Sequence, residues 1–340
     1  MKYGFPPAAT TRGRCSMRIV LTLFLGVVIA YGGVCPAQDY PITKLGKGAN
    51  CKWSPNGKYL SYTSSEGLMV YVPDSGITRQ VCPAEQVYNM HKFNYDWSGP
   101  EEWLFVRRIL TRGKPALYDV DYVRISLDGT QEILHSEHWE DRDPINSRLR
   151  RLSNGELWVA RNEISDAKNI AGFLGKAEID TTSYYVVVGY WANLRRGIRD
   201  TDIWLIKPNG DTLKRVTTGQ TFRMPILSPD GTHIYCGIGD VMLNLDGDVV
   251  GRLENAGGSS WLSDSRRIVF NRVVEGDGYI EASDIYVADI DGGNEIQITD
   301  SPFKVELWPV MSPDMSRLAY VVVGSNANYV EVIEVGEVLK

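Results

Sequence analysis

One short pattern recurs along this chain and limits what it can fold into. "WSPNGKYLSY" spans residues 53–62, "LSPDGTHIYC" 227–236, "WLSDSRRIVF" 261–270 and "MSPDMSRLAYV" 311–321. Weaker copies are "DWSGPEEWLFV" (96–106) and "RLSNGELWVA" (151–160). Each reads as a polar turn around a serine, followed by an alternating apolar strand. The serines are Ser54, Ser98, Ser153, Ser228, Ser263 and Ser312. A second pattern follows: "DIWLIKPNGDTLKRVT" (202–217), "DIYVADIDGGNEIQIT" (284–299), "YVRISLDGTQEIL" (122–134), "LMVYVPDSGITRQV" (68–81) and "VMLNLDGDVVGRL" (241–253). It reads as a strand, a glycine-containing turn and a shorter strand. The Asp-Gly and Asn-Gly pairs suit tight hairpins, because glycine reaches positive φ without a Cβ clash.

The two half-patterns together make a unit of four strands. Antiparallel four-stranded units of about 40–50 residues, repeated around an axis, are propeller blades. Unrelated hairpins of a β-sandwich would not keep the two halves in the same order. The expected fold is therefore all-β: a six-bladed β-propeller of four-stranded antiparallel blades. Seven blades is the alternative, because an irregular stretch separates "LWVAR" from "DIWLI" and contains a strand-like "YYVVVGY" (184–190). Residues 42–45 look like an outer strand with no blade before it. Pairing with the last blade, residues 311–340, would close the ring and hide strand edges.

"WSPNG", "LSPDG" and "MSPD", each followed by strands of the "DIYVAD" and "IQIT" kinds, resemble the propeller repeats of TolB-like proteins. The resemblance covers about residues 42–340. It implies the propeller fold and speaks far less to activity, since one fold hosts many functions.

Residues 1–18 carry Lys2, Arg12, Arg14 and Arg18 and no acid, and "IVLTLFLGVVIAY" follows without a charge. A basic flank, a short apolar core and small residues describe a secretory signal. The expected organisation is a signal peptide over 1–37, cleaved after Ala37, and one propeller over 38–340. Met17 is an alternative start. The apolar run is short for a membrane span, so no stable span is expected after cleavage, and the protein is expected to be exported, periplasmic or extracellular. The whole chain has a formal net charge of −6, and the removed segment carries four of its cations. An acidic mature chain argues against nucleic acid as a partner. Cys51, Cys82 and Cys236 would remain. Inner and outer strands of a blade lie roughly 14 Å apart, too far for a Cys51–Cys82 disulfide.

The residues just before each inner strand should ring the channel mouth. They include Asn50, Lys52, His91, Lys92, Arg148, Arg223 and Glu306. A second candidate patch is "WANLRRGIRDTD", where Trp191, Arg195, Arg196 and Arg199 combine forked donors with an indole. That patch suits an acidic peptide segment, an acidic glycan or a neighbouring subunit. "HSEH" spaces His135 and His138 by three, but no third ligand is evident, so no metal site and no cofactor are expected. There is no Gly-x-Ser-x-Gly elbow and no phosphate-binding Gly-x-x-x-x-Gly-Lys-Ser/Thr loop.

These features lead to one expectation and one alternative. The expectation is an exported, non-catalytic propeller that serves as a scaffold for a protein or peptide. The alternative is a propeller-type polysaccharide lyase or hydrolase acting on acidic sugars, with His91, Arg223 and Glu306 as its working set.

Overall fold

The computed structural model of this chain describes residues 40–84, 94–98, 103–113, 117–140, 147–151, 157–161, 168–169, 182–188, 202–207, 212–276 and 279–339. The alternating segments form antiparallel sheets arranged as a β-propeller. Blade 1 holds β2 (Ala49–Trp53), β3 (Leu60–Ser64), β4 (Gly67–Val72) and β5 (Ile77–Pro83). Blade 2 holds β6 (Asn94–Ser98), β7 (Trp103–Gly113), β8 (Leu117–Ile125) and β9 (Gln131–Glu140). Blade 4 holds β16 (Arg223–Leu227), β17 (His233–Ile238), β18 (Val241–Asn244) and β19 (Val249–Arg252). Blade 5 holds β20 (Ala256–Trp261), β21 (Arg267–Glu275), β22 (Ile280–Asp289) and β23 (Ile296–Gln297). Blade 6 holds β24 (Glu306–Met311), β25 (Arg317–Val323) and β26 (Asn328–Glu334).

The sixth sheet is completed from the other end of the chain. β1 (Ile42–Lys47) pairs with β26, with Ile42 opposite Ile333 and Lys47 opposite Tyr329. This is the closing strand anticipated at residues 42–45.

The irregular stretch is the third position of the ring. Its described strands lie in two three-stranded sheets. One holds β10 (Ser147–Arg151), β11 (Leu157–Arg161) and β12 (Lys168–Asn169). The other holds β13 (Tyr185–Val188), β14 (Ile203–Ile206) and β15 (Thr212–Arg215). The ring has six blades with this segment counted as one, and seven with its two sheets counted separately. "YYVVVGY" supplies β13, which pairs with β14 rather than with β11.

The Ser-Pro-Asp-Gly turn is a repeated hydrogen-bonded device. The hydroxyl of Ser228 accepts the backbone N–H of His233 (2.9 Å) and donates to Asp230 (2.6 Å). Asp230 in turn accepts the N–H of Thr232 at 3.0 Å. Ser312 and Asp314 repeat the arrangement, as do Ser54 and Asn56. The fourth turn residue is left-handed, with φ of 73° at Gly57, 75° at Gly231 and 58° at Met315. In blade 5 strand register corrects the motif alignment. Trp261 lies opposite Ile268, as Leu227 lies opposite Ile234, so Leu262 and not Ser263 holds the serine position. Ser263 instead donates to the carbonyl of Pro313 at 2.7 Å. Replacing Ser228 by alanine removes a buried acceptor and is expected to cost about 1 kcal/mol, read as a lower urea midpoint at unchanged slope. Ser263→Ala is expected to be close to neutral, and an equal loss for both would contradict this register.

Tryptophans at the ends of the inner strands of blades 1, 2 and 5 tie each of these blades to the one before it. Trp53 Nε1 donates to the carbonyl of Val310 (3.1 Å), Trp97 to that of Lys52 (3.0 Å) and Trp261 to that of Ile226 (3.1 Å). Each acceptor immediately precedes the equivalent strand-end residue of the preceding blade. The core is likewise built between blades. Leu68, Val70 and Cys82 of blade 1 pack with Trp97, Leu104 and Ile125 of blade 2. Val269 and Ile285 of blade 5 pack with Leu318 and Tyr320 of blade 6. Burying one such side chain stabilises the fold by roughly 1.5–3 kcal/mol. Cys51, Cys82 and Cys236 are buried, and burial pushes the thiols of Cys51 and Cys236 up to about 12.

Candidate binding face

All the inner strands start at one end of the ring, opposite the Ser-Pro turns. The loops between second and third strands, and those between outer and next inner strands, open at the same end. Several inner strands leave regular geometry there. β2 is bulged between Ala49 and Lys52, β20 between Ala256 and Ser259, and β24 between Leu307 and Val310. Asn50 (φ 56°), Met224 (φ 54°) and Trp308 (φ 53°) are left-handed. Non-glycine residues rarely adopt this conformation, and bulges re-aim side chains.

The bulges of blades 5 and 6 are held by one buried asparagine. Asn271 on β21 accepts the N–H of Gly258 (2.8 Å) and that of Trp308 (3.2 Å) on its Oδ1. Its Nδ2 donates to Ser283 Oγ at 3.1 Å, and that hydroxyl donates to the carbonyl of Glu306 at 2.8 Å. Asn271, Ser283 and Glu306 are all buried. A Cβ on Gly258 would stand 2.5 Å from Trp308 Cδ1, so only glycine lets the indole lie this close to β20. The indole is nevertheless 49% exposed, and Met224 is 66% exposed. The mouth therefore presents large side chains on a backbone that its own network fixes in place.

The "DI…IT" half-pattern clamps the same end. Thr217 Oγ1 accepts the N–H of Ile203, and Thr299 Oγ1 accepts that of Ile285. The aspartate just before each of these isoleucines holds the following loop: Asp202 accepts the N–H of Gln220 at 3.0 Å, and Asp284 that of Ser301 at 2.8 Å. The two aspartates differ in charge environment. Burial alone would raise Asp202, but hydrogen bonds from Arg215, Gln220, Gly219 and Thr217 outweigh it and hold the carboxyl below the usual range. Among the described residues no arginine lowers Asp284 in this way. Burial, with the neighbouring Asp300 adding to it, raises its pKa.

The residues proposed from sequence fall into three groups. Asn50 is exposed, donates to Thr63 Oγ1 (3.2 Å) and accepts the Tyr95 hydroxyl on its carbonyl. Arg223 opens β16 and is exposed. These two stand at strand starts on the mouth end. Lys52 is engaged in the seam between blades 1 and 2. Its Nζ donates to the carbonyl of Tyr95 (2.8 Å), lies 3.3 Å from Asp96 and sits over the Tyr95 ring. Glu306 opens β24 but is sealed between blades 5 and 6, and its side chain does not reach the mouth surface. The backbone of Arg148 lies in β10, opposite Ala160. The Arg148 side chain, His91, Lys92, Trp191, Arg195, Arg196 and Arg199 lie outside the described residues. Met224, Trp308, Asn271 and Ser283 did not emerge from the sequence. The one available signal was the Trp-Pro pair of "VELWPVM" just ahead of a Ser-Pro turn.

His135 lies on the outer strand β9 and stacks on Tyr122, with ring centroids 6.0 Å apart. Among the described residues no group of three or more His, Cys, Asp or Glu side chains could hold a metal ion. No helix among them is long and apolar enough to cross a membrane.

No family profile matches the sequence, and no curated protein matches it. Solved structures do. The chain is similar to the structure of the Dos1 propeller at 8% identity, over 87% of this chain and 94% of that one, with a TM-score of 0.51. It is also similar to a protein described as TolB from Agrobacterium tumefaciens (17% identity, 86% and 90% coverage, TM-score 0.45). A third likeness is to a eukaryotic initiation factor (11% identity, 87% coverage of each chain, TM-score 0.45). At these identities the likeness to the Dos1 propeller bears on fold alone, and it agrees with the blades seen here.

Proposed function

We propose that this chain is an exported, non-catalytic β-propeller that holds a protein or peptide segment at the mouth of its ring. The observation that carries the reading is the Trp308 indole, half exposed on a left-handed bulge that buried Asn271 locks. Strain of this kind costs of order 1–3 kcal/mol and concentrates where side chains are pre-organised for contact. Exposed Met224 and Arg223 extend the same surface across blade 4. Pre-organised aromatic, methionine and arginine side chains are typical anchors of interfaces. The signal-like segment 1–37 supports export to the periplasm or beyond. The basic stretch with Trp191, Arg195, Arg196 and Arg199 would add a contact for an acidic segment or an acidic glycan.

A photo-crosslinking side chain placed at Met224 or Trp308, in cells making the full chain, tests the reading. The expected result is one discrete adduct from these positions and none from Ile77, which is exposed on the outer strand of blade 1. Equal capture at Ile77, or none at the mouth, would refute it. Intact mass of the exported protein is expected to begin at Gln38, and retention of residues 1–37 would remove the export reading.

A further inference from the structure

The lock on Trp308 and the seal over Glu306 belong to one hydrogen-bonded chain. Asn271 Oδ1 accepts the N–H groups of Trp308 and Gly258, and its Nδ2 donates to Ser283 Oγ. That hydroxyl donates to the main-chain carbonyl of Glu306. Glu306 therefore stands at the end of the chain, two residues before Trp308 on the same strand. The loop that leads into β24 is stitched to both blades beside it. Ser283 N donates to the carbonyl of Lys304 at 3.0 Å, and Val323 N to that of Val305 at 2.9 Å. Asp284 holds the N–H of Ser301 in the same loop.

The Glu306 carboxyl is fully buried in this seal, and neither oxygen has a hydrogen-bond partner among the described residues. A neutral carboxyl tolerates such a place far better than a charged one. An ionised carboxylate there is an uncompensated buried charge, relieved by letting water in. Its surroundings offer little counter-charge. Asp284 on β22 acts against ionisation, and Asp300 in the loop acts likewise on Asp284. Glu331 on β26 is buried and engages Lys304 (3.8 Å), Lys44 of β1 (3.7 Å) and the Tyr320 hydroxyl of β25 (3.1 Å). Lys47 of β1 lies opposite Tyr329, three strands out from Glu306. Arg272 of β21 is turned to Glu295, and Lys52 of β2 to Asp96. Of these cations Lys304 is the one whose charge offsets the burial of Glu306, and it is shared with Glu331.

We propose that Glu306 is a proton-operated latch on the mouth: neutral, it keeps the start of β24 shut and Trp308 fixed; ionised, it opens that start and frees Trp308. A segment held at the mouth is then gripped at acid pH and released as pH rises. The grip rests on the mouth reading; the latch does not. The open form holds the proton as an exposed glutamate does, at about 4.3, and the closed form holds it more tightly. The opening constant therefore rises about ten-fold per pH unit above the open value, and levels off once pH passes the closed value.

Hydrogen exchange of the purified protein, corrected for the intrinsic pH dependence of exchange, tests the latch without any ligand. The Trp308 and Gly258 amides are expected to lose protection with that slope. Because the opening is local, they are expected to exchange at least about ten-fold faster than the β3–β4 ladder of blade 1. Glu306→Gln is expected to abolish the slope, as is Glu306→Met, which leaves no buried amide to satisfy. Asp284→Asn is expected to keep it. The proposal is overturned by protection in the parent that is flat with pH, or that matches the blade 1 ladder throughout. A slope that survives both Glu306 changes and disappears in Asp284→Asn overturns it too. Crosslinking from position 224 over the same pH range separates the two readings. Adducts that fade with rising pH in the parent, but not in Glu306→Gln, support both. No adduct at any pH refutes the mouth reading and leaves the exchange result standing. Adducts of constant yield beside a clear exchange slope overturn the release step.

Discussion

A chain that begins at Gly48 is expected to be less stable than one beginning at Gln38 by about 3–5 kcal/mol, several lost ladder bonds and one lost apolar contact. Removing β1 breaks five residue pairs with β26. It also removes Leu45, which packs on the core shared by blades 6 and 1, and the carbonyl that accepts the Tyr62 hydroxyl. Glu331 has a side chain only 4% exposed and lies 3.7 Å from Lys44. Without β1 it keeps only Lys304 and the Tyr320 hydroxyl among the described neighbours. Beyond these local losses, β26 becomes an open edge, a template for pairing with other chains. Urea melts followed by tryptophan fluorescence at several protein concentrations measure both effects. The expected pattern is a lower midpoint, with aggregation that rises with concentration and is reversed by a peptide covering residues 40–47. An unchanged midpoint would mean that ring closure by this strand contributes little.

The sequence pattern made the blades legible where a polar turn and a period-2 strand coincide. Ser54, Ser228 and Ser312 sit in equivalent turns because the same side-chain-to-backbone bonds recur there. Ser263 was misaligned because register follows strand pairing, and Leu262 occupies that place. Closure was also legible at residues 42–45, as an outer-strand pattern without a blade before it. The mouth was only partly so. Counting back from each Ser-Pro turn puts Asn50, Arg223 and Glu306 just before the strand, whereas they are the first or second residues of β2, β16 and β24. It cannot tell which way each side chain points, because a bulge between the turn and the start breaks the alternation. In β24 the bulge between Leu307 and Val310 leaves Glu306 buried and turns Trp308 outward. Asn271 was invisible for a related reason. It sits mid-strand in "RIVFNRVVE", and only the folded arrangement brings its amide to two neighbouring bulges. Residues 147–215 lack the Asp-Gly rhythm, and there the strands pair as two sheets rather than one.

Glu306 is expected to make the protein less stable as pH rises. Neither carboxylate oxygen has a hydrogen-bond partner among the described residues, and the residue is fully buried. Burial is the main cause of its raised pKa, with Asp284 on β22 adding to it. The hydroxyls of Thr299 and Ser301 and the charge of Lys304 act in the opposite direction without cancelling it. Tyr320 on β25 and Glu331 on β26 complete its charged and titratable surroundings. The folded state therefore holds this proton more tightly than the unfolded chain does. The resulting stability is fully present below the unfolded value, about 4.3 for a glutamate, and is lost as pH rises through the folded value. Asp284, also raised, acts in the same direction. Glu306→Gln removes the charge but keeps the shape, so its stability relative to the parent is expected to grow with pH above that unfolded value. Glu306→Met removes the orphaned polar atoms as well. At neutral pH it is expected to be more stable than the parent by about 1–3 kcal/mol, the usual cost of an unsatisfied buried polar group. Urea midpoints of the three proteins between acid and mildly alkaline pH measure this. Curves that run parallel at every pH would show that Glu306 finds a partner in solution. A Gln variant that loses stability as pH rises would reverse the sign and point to a carboxylate held charged.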